Sequence, residues 1–137
     1  RREILKGPLV YGLVFVVLTI LFWRNSPVGI TALMILCGGD GMADIVGRRA
    51  RSAKLPWSKR KSIAGTLAMF LGGLIFSLAI GLYFNATYNF GISPFFMVVI
   101  LLIVNLATTL VETFPAWDLD NLTVPFTAVI LSLVLFP

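Results

Sequence analysis

Gly38-Gly39-Asp40-Gly41-Met42-Ala43-Asp44-Ile45-Val46-Gly47-Arg48-Arg49 closes an apolar run that starts near Pro27, and its reading decides the fold. Two carboxylates at the end of a hydrophobic segment are costly beside a bilayer core, so they mark a functional site by default. Their i, i+4 spacing puts Asp40 and Asp44 on one helix face, one turn apart. Such a pair can hold a divalent cation at the membrane edge. Magnesium suits it, because that ion keeps several waters and takes one or two carboxylates plus substrate phosphates. Gly38, Gly39 and Gly41 leave the same face bare, so backbone or ligand can approach closely. A plainer alternative is that the acids pair with Arg48 or Arg49 one turn on and merely end the helix. Acids near a helix C-terminus oppose the macrodipole, which weighs against that alternative.

The rest of the chain is as apolar as this segment. Of 137 residues, 58% are hydrophobic and mean hydropathy is +0.97, while charged residues make up 12%. Soluble domains carry about twice that charge. The composition implies an all-α membrane protein, a polytopic bundle of about five spanning helices over residues 8–23, 27–47, 62–84, 92–111 and 123–136. The last run is shorter than the roughly 20 residues a bilayer requires. Residues 1–137 therefore read as one membrane domain, a fragment of a larger bundle. A lone Cys37 excludes an intrachain disulfide. The absence of histidine removes the commonest general base and the usual zinc ligand.

The formal charge of +5 is unevenly spread. Arg48, Arg49, Arg51, Lys54, Lys59, Arg60 and Lys61 lie in one polar connection, with Pro56-Trp57 among them. Crossing parity puts the N-terminal basic residues, the 48–61 connection and the 112–122 connection on one side of the membrane. The opposite side keeps Arg24 and an uncharged loop, 85–91, as the positive-inside rule asks. With so little soluble surface, anionic lipid head groups and polyphosphates are better partners than nucleic acid. Asn85-Ala86-Thr87 matches a glycosylation sequon, but sits in a loop tight to the bilayer.

Two further constellations share that side. In Lys54-Leu55-Pro56-Trp57-Ser58-Lys59-Arg60-Lys61-Ser62-Ile63-Ala64-Gly65-Thr66, cations precede a helix whose first turn holds Ser62, Gly65 and Thr66. Free N–H groups, the positive helix end and the side chains of Lys54, Lys59, Arg60 and Lys61 make a phosphate site. An ordinary basic loop touching lipid phosphates is the alternative. The third is Glu112-Thr113-Phe114-Pro115 with Asp118 to Pro125, whose acids can be metal ligands, a base for a hydroxyl proton, or simply turn formers.

At these three places together the chain resembles the polyprenol, dolichol and phytol kinase family. Its middle and late blocks are also similar to those of phosphatidate cytidylyltransferases. The chain departs at Ala50-Arg51, where the family reads Phe-Gly. The resemblance implies phosphoryl transfer from CTP, with Mg²⁺, to the hydroxyl of a long isoprenoid alcohol such as phytol, geranylgeraniol or farnesol, on the way to tocopherols. It also implies a chloroplast membrane, envelope or thylakoid, with the active-site loops in the stroma. Asp40, Asp44, Asp118 and Asp120 would be the metal ligands. Asp40, Asp44, Arg48 and Asp120 would be catalytic, and Lys54, Lys59, Arg60, Lys61, Ser62 and Gly65 would bind nucleotide phosphates. The rivals are CMP transfer to a lipid phosphate and a non-enzymatic carrier. Oligomeric state, and which carboxylate is the base, are left open.

Overall fold

A computed structural model describes the backbone of residues 2–22, 26–114 and 120–137, and the side chains of 7–22, 26–114 and 122–137. Among the described residues the chain forms a bundle of five apolar helical rods, as the composition implies. The first rod is α1, Arg2–Phe22. The second begins with α2, Pro27–Met34, where the Ser26 hydroxyl accepts a hydrogen bond from Val28 N at 3.2 Å and Pro27 occupies the first turn. It continues through a wide, π-helical turn, Ile35–Asp40, into α3, Gly41–Arg49. Next come α4, Ile63–Tyr88, and α5, Pro94–Thr113, the latter capped by Ser93. The last is α6, Asp120–Leu135. Three rods, Pro27–Arg49, Ile63–Tyr88 and Pro94–Thr113, are long and apolar enough to cross a membrane. Gly7–Phe22 and Leu122–Leu135 are shorter apolar helices.

The helices pack around α4, which lies along the π-helical turn and α3 on one flank and along α5 on another. α6 packs between α5 and α2, and α1 lies against α2 and α6. Met69, Met97, Leu101, Val104, Ile35 and Leu36 fill the interior. Large apolar side chains such as Leu9, Ile20, Ile75, Phe95 and Val134 face outward, as a lipid-facing surface requires. Hydrophobicity cannot drive helix association in such a solvent, so close backbone packing and polar contacts must. The Asn105 amide accordingly donates to Ser77 Oγ across α5 and α4 at 3.0 Å.

Glycines make the α3–α4 contact. A Cβ on Gly39 would lie 3.4 Å from the Gly73 Cα, and one on Gly65 would lie 3.5 Å from the Gly47 Cα. Gly38 and Gly39 thus face another helix rather than a ligand, while Gly41 has open space.

Two local expectations are corrected. The basic connection is not all loop: β1, Lys54–Leu55, and β2, Ser58–Ser62, form an antiparallel hairpin turned at Pro56-Trp57. Residues 85–88 belong to α4, which ends where Asn89 takes a left-handed conformation at φ 51°. Asn85 is buried and its amide donates to Ile92 O at 2.7 Å, so the sequon is used inside the fold.

A Cβ at Gly72 would stand 2.6 Å from the Gly38 carbonyl oxygen. Gly72→Ala should therefore destabilise the bundle by about 1–3 kcal/mol, the usual cost of overpacking. Gly12→Ala, with nothing within 4 Å, should leave the thermal midpoint in detergent unchanged or slightly raised.

Candidate functional site

Asp40 ends the π-helical turn and Asp44 follows in the first turn of α3. Asp40, Ala43, Asp44, Gly47 and Arg48 occupy one face of this segment and line a cleft of about 390 Å³. Across it stand Lys54 of β1, Ser58, Arg60, Lys61 and Ser62 of β2, Gly65 and Thr66 of α4, and Glu112 of α5. Four cations thus meet three carboxylates at one end of the bundle. Among the described residues the other end is apolar and uncharged: Gly91, Ile92, Phe96, Ile100 and Leu135 gather there around a second cavity. This charge separation agrees with the crossing parity read from the sequence.

Two ion pairs in the cleft differ in kind. Asp44 Oδ1 accepts from Arg48 Nε at 2.7 Å, and both side chains are more than half exposed. An exposed i, i+4 pair contributes only about 0.3–0.5 kcal/mol. The pairing foreseen as a plain alternative thus exists, but it is weak enough for a cation or phosphate to displace. Lys61 Nζ, by contrast, donates to Glu112 Oε1, whose side chain is 4% exposed. That contact joins the hairpin to the end of α5.

The start of α4 departs from the expected anion site. Ile63 N donates to Ala53 O at 3.0 Å, Ala64 N to Ser52 Oγ at 3.1 Å and Gly65 N to Ser62 Oγ at 3.1 Å. The N–H groups expected to be free are consumed by the chain itself. Ser62 and Gly65 shape the wall of the cleft, and the side chains of Lys54, Arg60, Lys61 and Arg48 supply its positive charge.

Among the expected residues, Asp40, Asp44, Arg48, Lys54, Arg60, Lys61, Ser62 and Gly65 line the cleft. Lys59 does not: it is exposed, and its neighbours Ser58 and Arg60 take the cleft side. Asp118 lies outside the described residues. Asp120 begins α6, but its side chain lies outside the described ones. Glu112 was read as part of a loop; it lies in the last turn of α5 and is buried. The rule that picked out Asp40, an acid at the end of an apolar run, would have found it too. Cys37 is engaged by the Tyr11 hydroxyl, which donates to its Sγ at 3.1 Å.

Among the described residues no three acidic or thiol side chains converge into a metal cage. Two carboxylates on one wall, opposite basic side chains, nevertheless match the sparse protein donor set that magnesium takes beside a polyphosphate.

The fold and the cleft define a membrane helical bundle with a charged site at one end. No family model matches the chain, and no solved structure matches it. Curated proteins do. The chain is 42% identical over 138 residues to a probable phytol kinase, chloroplastic, of Triticum aestivum, covering 99% of this chain and 46% of that protein. It is 42% identical over 138 residues to a farnesol kinase, chloroplastic, of Arabidopsis thaliana, with 99% and 45% covered. To phytol kinase 1, chloroplastic, of the same plant it is 37% identical over 137 residues, with 98% and 45% covered. The resemblance to the polyprenol and phytol kinase family therefore holds along nearly the whole chain. The chain spans a little under half the length of these relatives.

Ser62→Ala would strip the acceptor from Gly65 N at a buried position. It should lower stability by about 1 kcal/mol, the usual value of an N-cap side chain, in a denaturation series in detergent.

Proposed function

We propose that this chain carries the catalytic cleft of an isoprenoid-alcohol kinase. It would transfer the terminal phosphoryl group of CTP to the hydroxyl of phytol, geranylgeraniol or farnesol at a chloroplast membrane surface, with the cleft facing the stroma. One observation carries the reading: Asp40 and Asp44 share a single cleft with Arg48, Lys54, Arg60 and Lys61 at the charged end of an apolar bundle. The names of the relatives, phytol kinase and farnesol kinase, support the acceptor class.

Phosphoryl transfer asks a protein mainly for positioning and charge stabilisation. The hydroxyl oxygen attacks the terminal phosphorus, the bond to the bridging oxygen breaks, and the nucleoside diphosphate departs with those electrons. Lys54, Arg60 and Lys61 balance the triphosphate's charge, holding it against the hairpin. Arg48 reaches the transferring group when Asp44 releases it, an exchange that the weakness of the exposed pair permits. A carboxylate of the cleft accepts the hydroxyl proton. Asp40 and Asp44 would hold magnesium, whose contribution is to neutralise charge on the donor phosphates. The apolar tail stays in lipid beside the bundle, so only the hydroxyl needs to enter the polar cleft.

In the full-length protein in liposomes, Asp40→Asn should abolish transfer from labelled CTP while insertion stays normal. Retained transfer would overturn the metal-binding role. Arg60→Ala should weaken transfer about tenfold, matching roughly 1.4 kcal/mol from one lost charged hydrogen bond. Lys59→Ala should stay within about twofold, well under 1 kcal/mol. The co-product decides between chemistries: nucleoside diphosphate supports the kinase, and pyrophosphate would make the protein a cytidylyltransferase.

A further inference from the structure

Glu112 occupies a position that packing alone does not favour. It sits in the last turn of α5, where a carboxylate opposes the helix dipole, and its side chain is 4% exposed. Both circumstances penalise the charge. The Lys61 ammonium, half-buried on the cleft wall, pairs with it. Replacing such a buried pair by apolar side chains of similar volume is often neutral or stabilising, so the pair is poorly explained as a structural fastening. Its geometry suggests another use. An ammonium has three donors in a fixed tetrahedral arrangement. Glu112 takes one of them and so helps set where the ammonium stands on the cleft wall. That contact restricts the rotamers a lysine would otherwise sample on a strand of five residues.

We propose that Glu112 is a positioning residue, whose buried carboxylate fixes the Lys61 ammonium where it engages the phosphates of the nucleotide donor. The donor site is then built jointly by the hairpin and α5, two parts of the chain 51 residues apart, rather than by the basic hairpin alone. The inference rests on the kinase reading for the identity of the donor. It does not need that reading for the linkage between the two side chains.

The test uses the full-length protein in liposomes, with CTP, Mg²⁺ and phytol, together with equilibrium binding of CTP–Mg²⁺. Glu112→Gln should raise the KM for CTP about tenfold, the effect of one misdirected charged hydrogen bond. The KM for phytol and kcat should stay within about threefold, under 1 kcal/mol. Lys61→Met should weaken CTP to a similar degree, and the double variant should be no worse than Lys61→Met alone. Additive losses, a fall in kcat at unchanged KM, or an unaltered KM in Glu112→Gln would each overturn the proposal. Should Glu112→Gln fail to insert as a monodisperse protein, Glu112→Asp replaces it, with the same split between KM and kcat expected at smaller size and the same outcomes overturning it. A wild-type protein that binds CTP but phosphorylates no alcohol would sink the kinase reading. The linkage would then be judged on CTP affinity across the same variants.

Discussion

Everything at the charged end depends on how closely α3 can lie against α4. In a lipid-like solvent two helices gain little by hiding apolar surface from each other, because the solvent is equally apolar. Contact must come from backbones that touch, and Gly39, Gly47, Gly65, Gly72 and Gly73 remove the side chains that would keep them apart. The same contact fixes where the acids go. Gly47 meets Gly65 within the first turn of α4, so the face of α3 that carries Asp40 and Asp44 ends beside the hairpin that feeds α4. The charged constellation is thus a by-product of helix packing, and needs no long loop to assemble it.

The cleft then sorts its charges by mobility. Asp44 and Arg48 form a pair that water screens and a ligand can part. Lys61 and Glu112 form one that is largely withdrawn from solvent and hard to break singly. Lys54 and Arg60 stand exposed on the hairpin. A polyphosphate entering such a cleft would meet cations of differing exposure, with Lys61 held against a buried carboxylate. That division suits phosphoryl transfer, in which the substrate must be held firmly while charge shifts along it.

Much of this was legible in the sequence, for physical reasons. Five apolar runs announced the rods, and the charge asymmetry announced which ends belong together. Asp40, Asp44 and the basic connection were visible because charges beside a bilayer are expensive and rarely accidental. What escaped was set by partners distant in the chain. The N–H groups of Ile63, Ala64 and Gly65 looked free because a helix start has orphan donors, yet Ala53, Ser52 and Ser62 satisfy them. Lys59 looked equivalent to Arg60 until strand alternation separated them. Glu112 looked like a loop residue because α5 outlasts its apolar run. Ser77 and Asn105 gave no local sign of pairing, being 28 residues apart.

The π-helical turn at Ile35–Asp40 has a consequence for the bundle's tolerance of change. A regular helix advances by about 100° per residue, so its two ends share one phase. A wide turn holds an extra residue and breaks that lock. Upstream, α2 can keep its apolar side toward α4 and α6, while downstream the acidic side of α3 is aimed independently. In a regular helix one residue more or less would swing both aspartates away from the hairpin. Here the wide turn takes up the extra residue, so the carboxylate wall of the cleft keeps its place while α2 keeps its own packing.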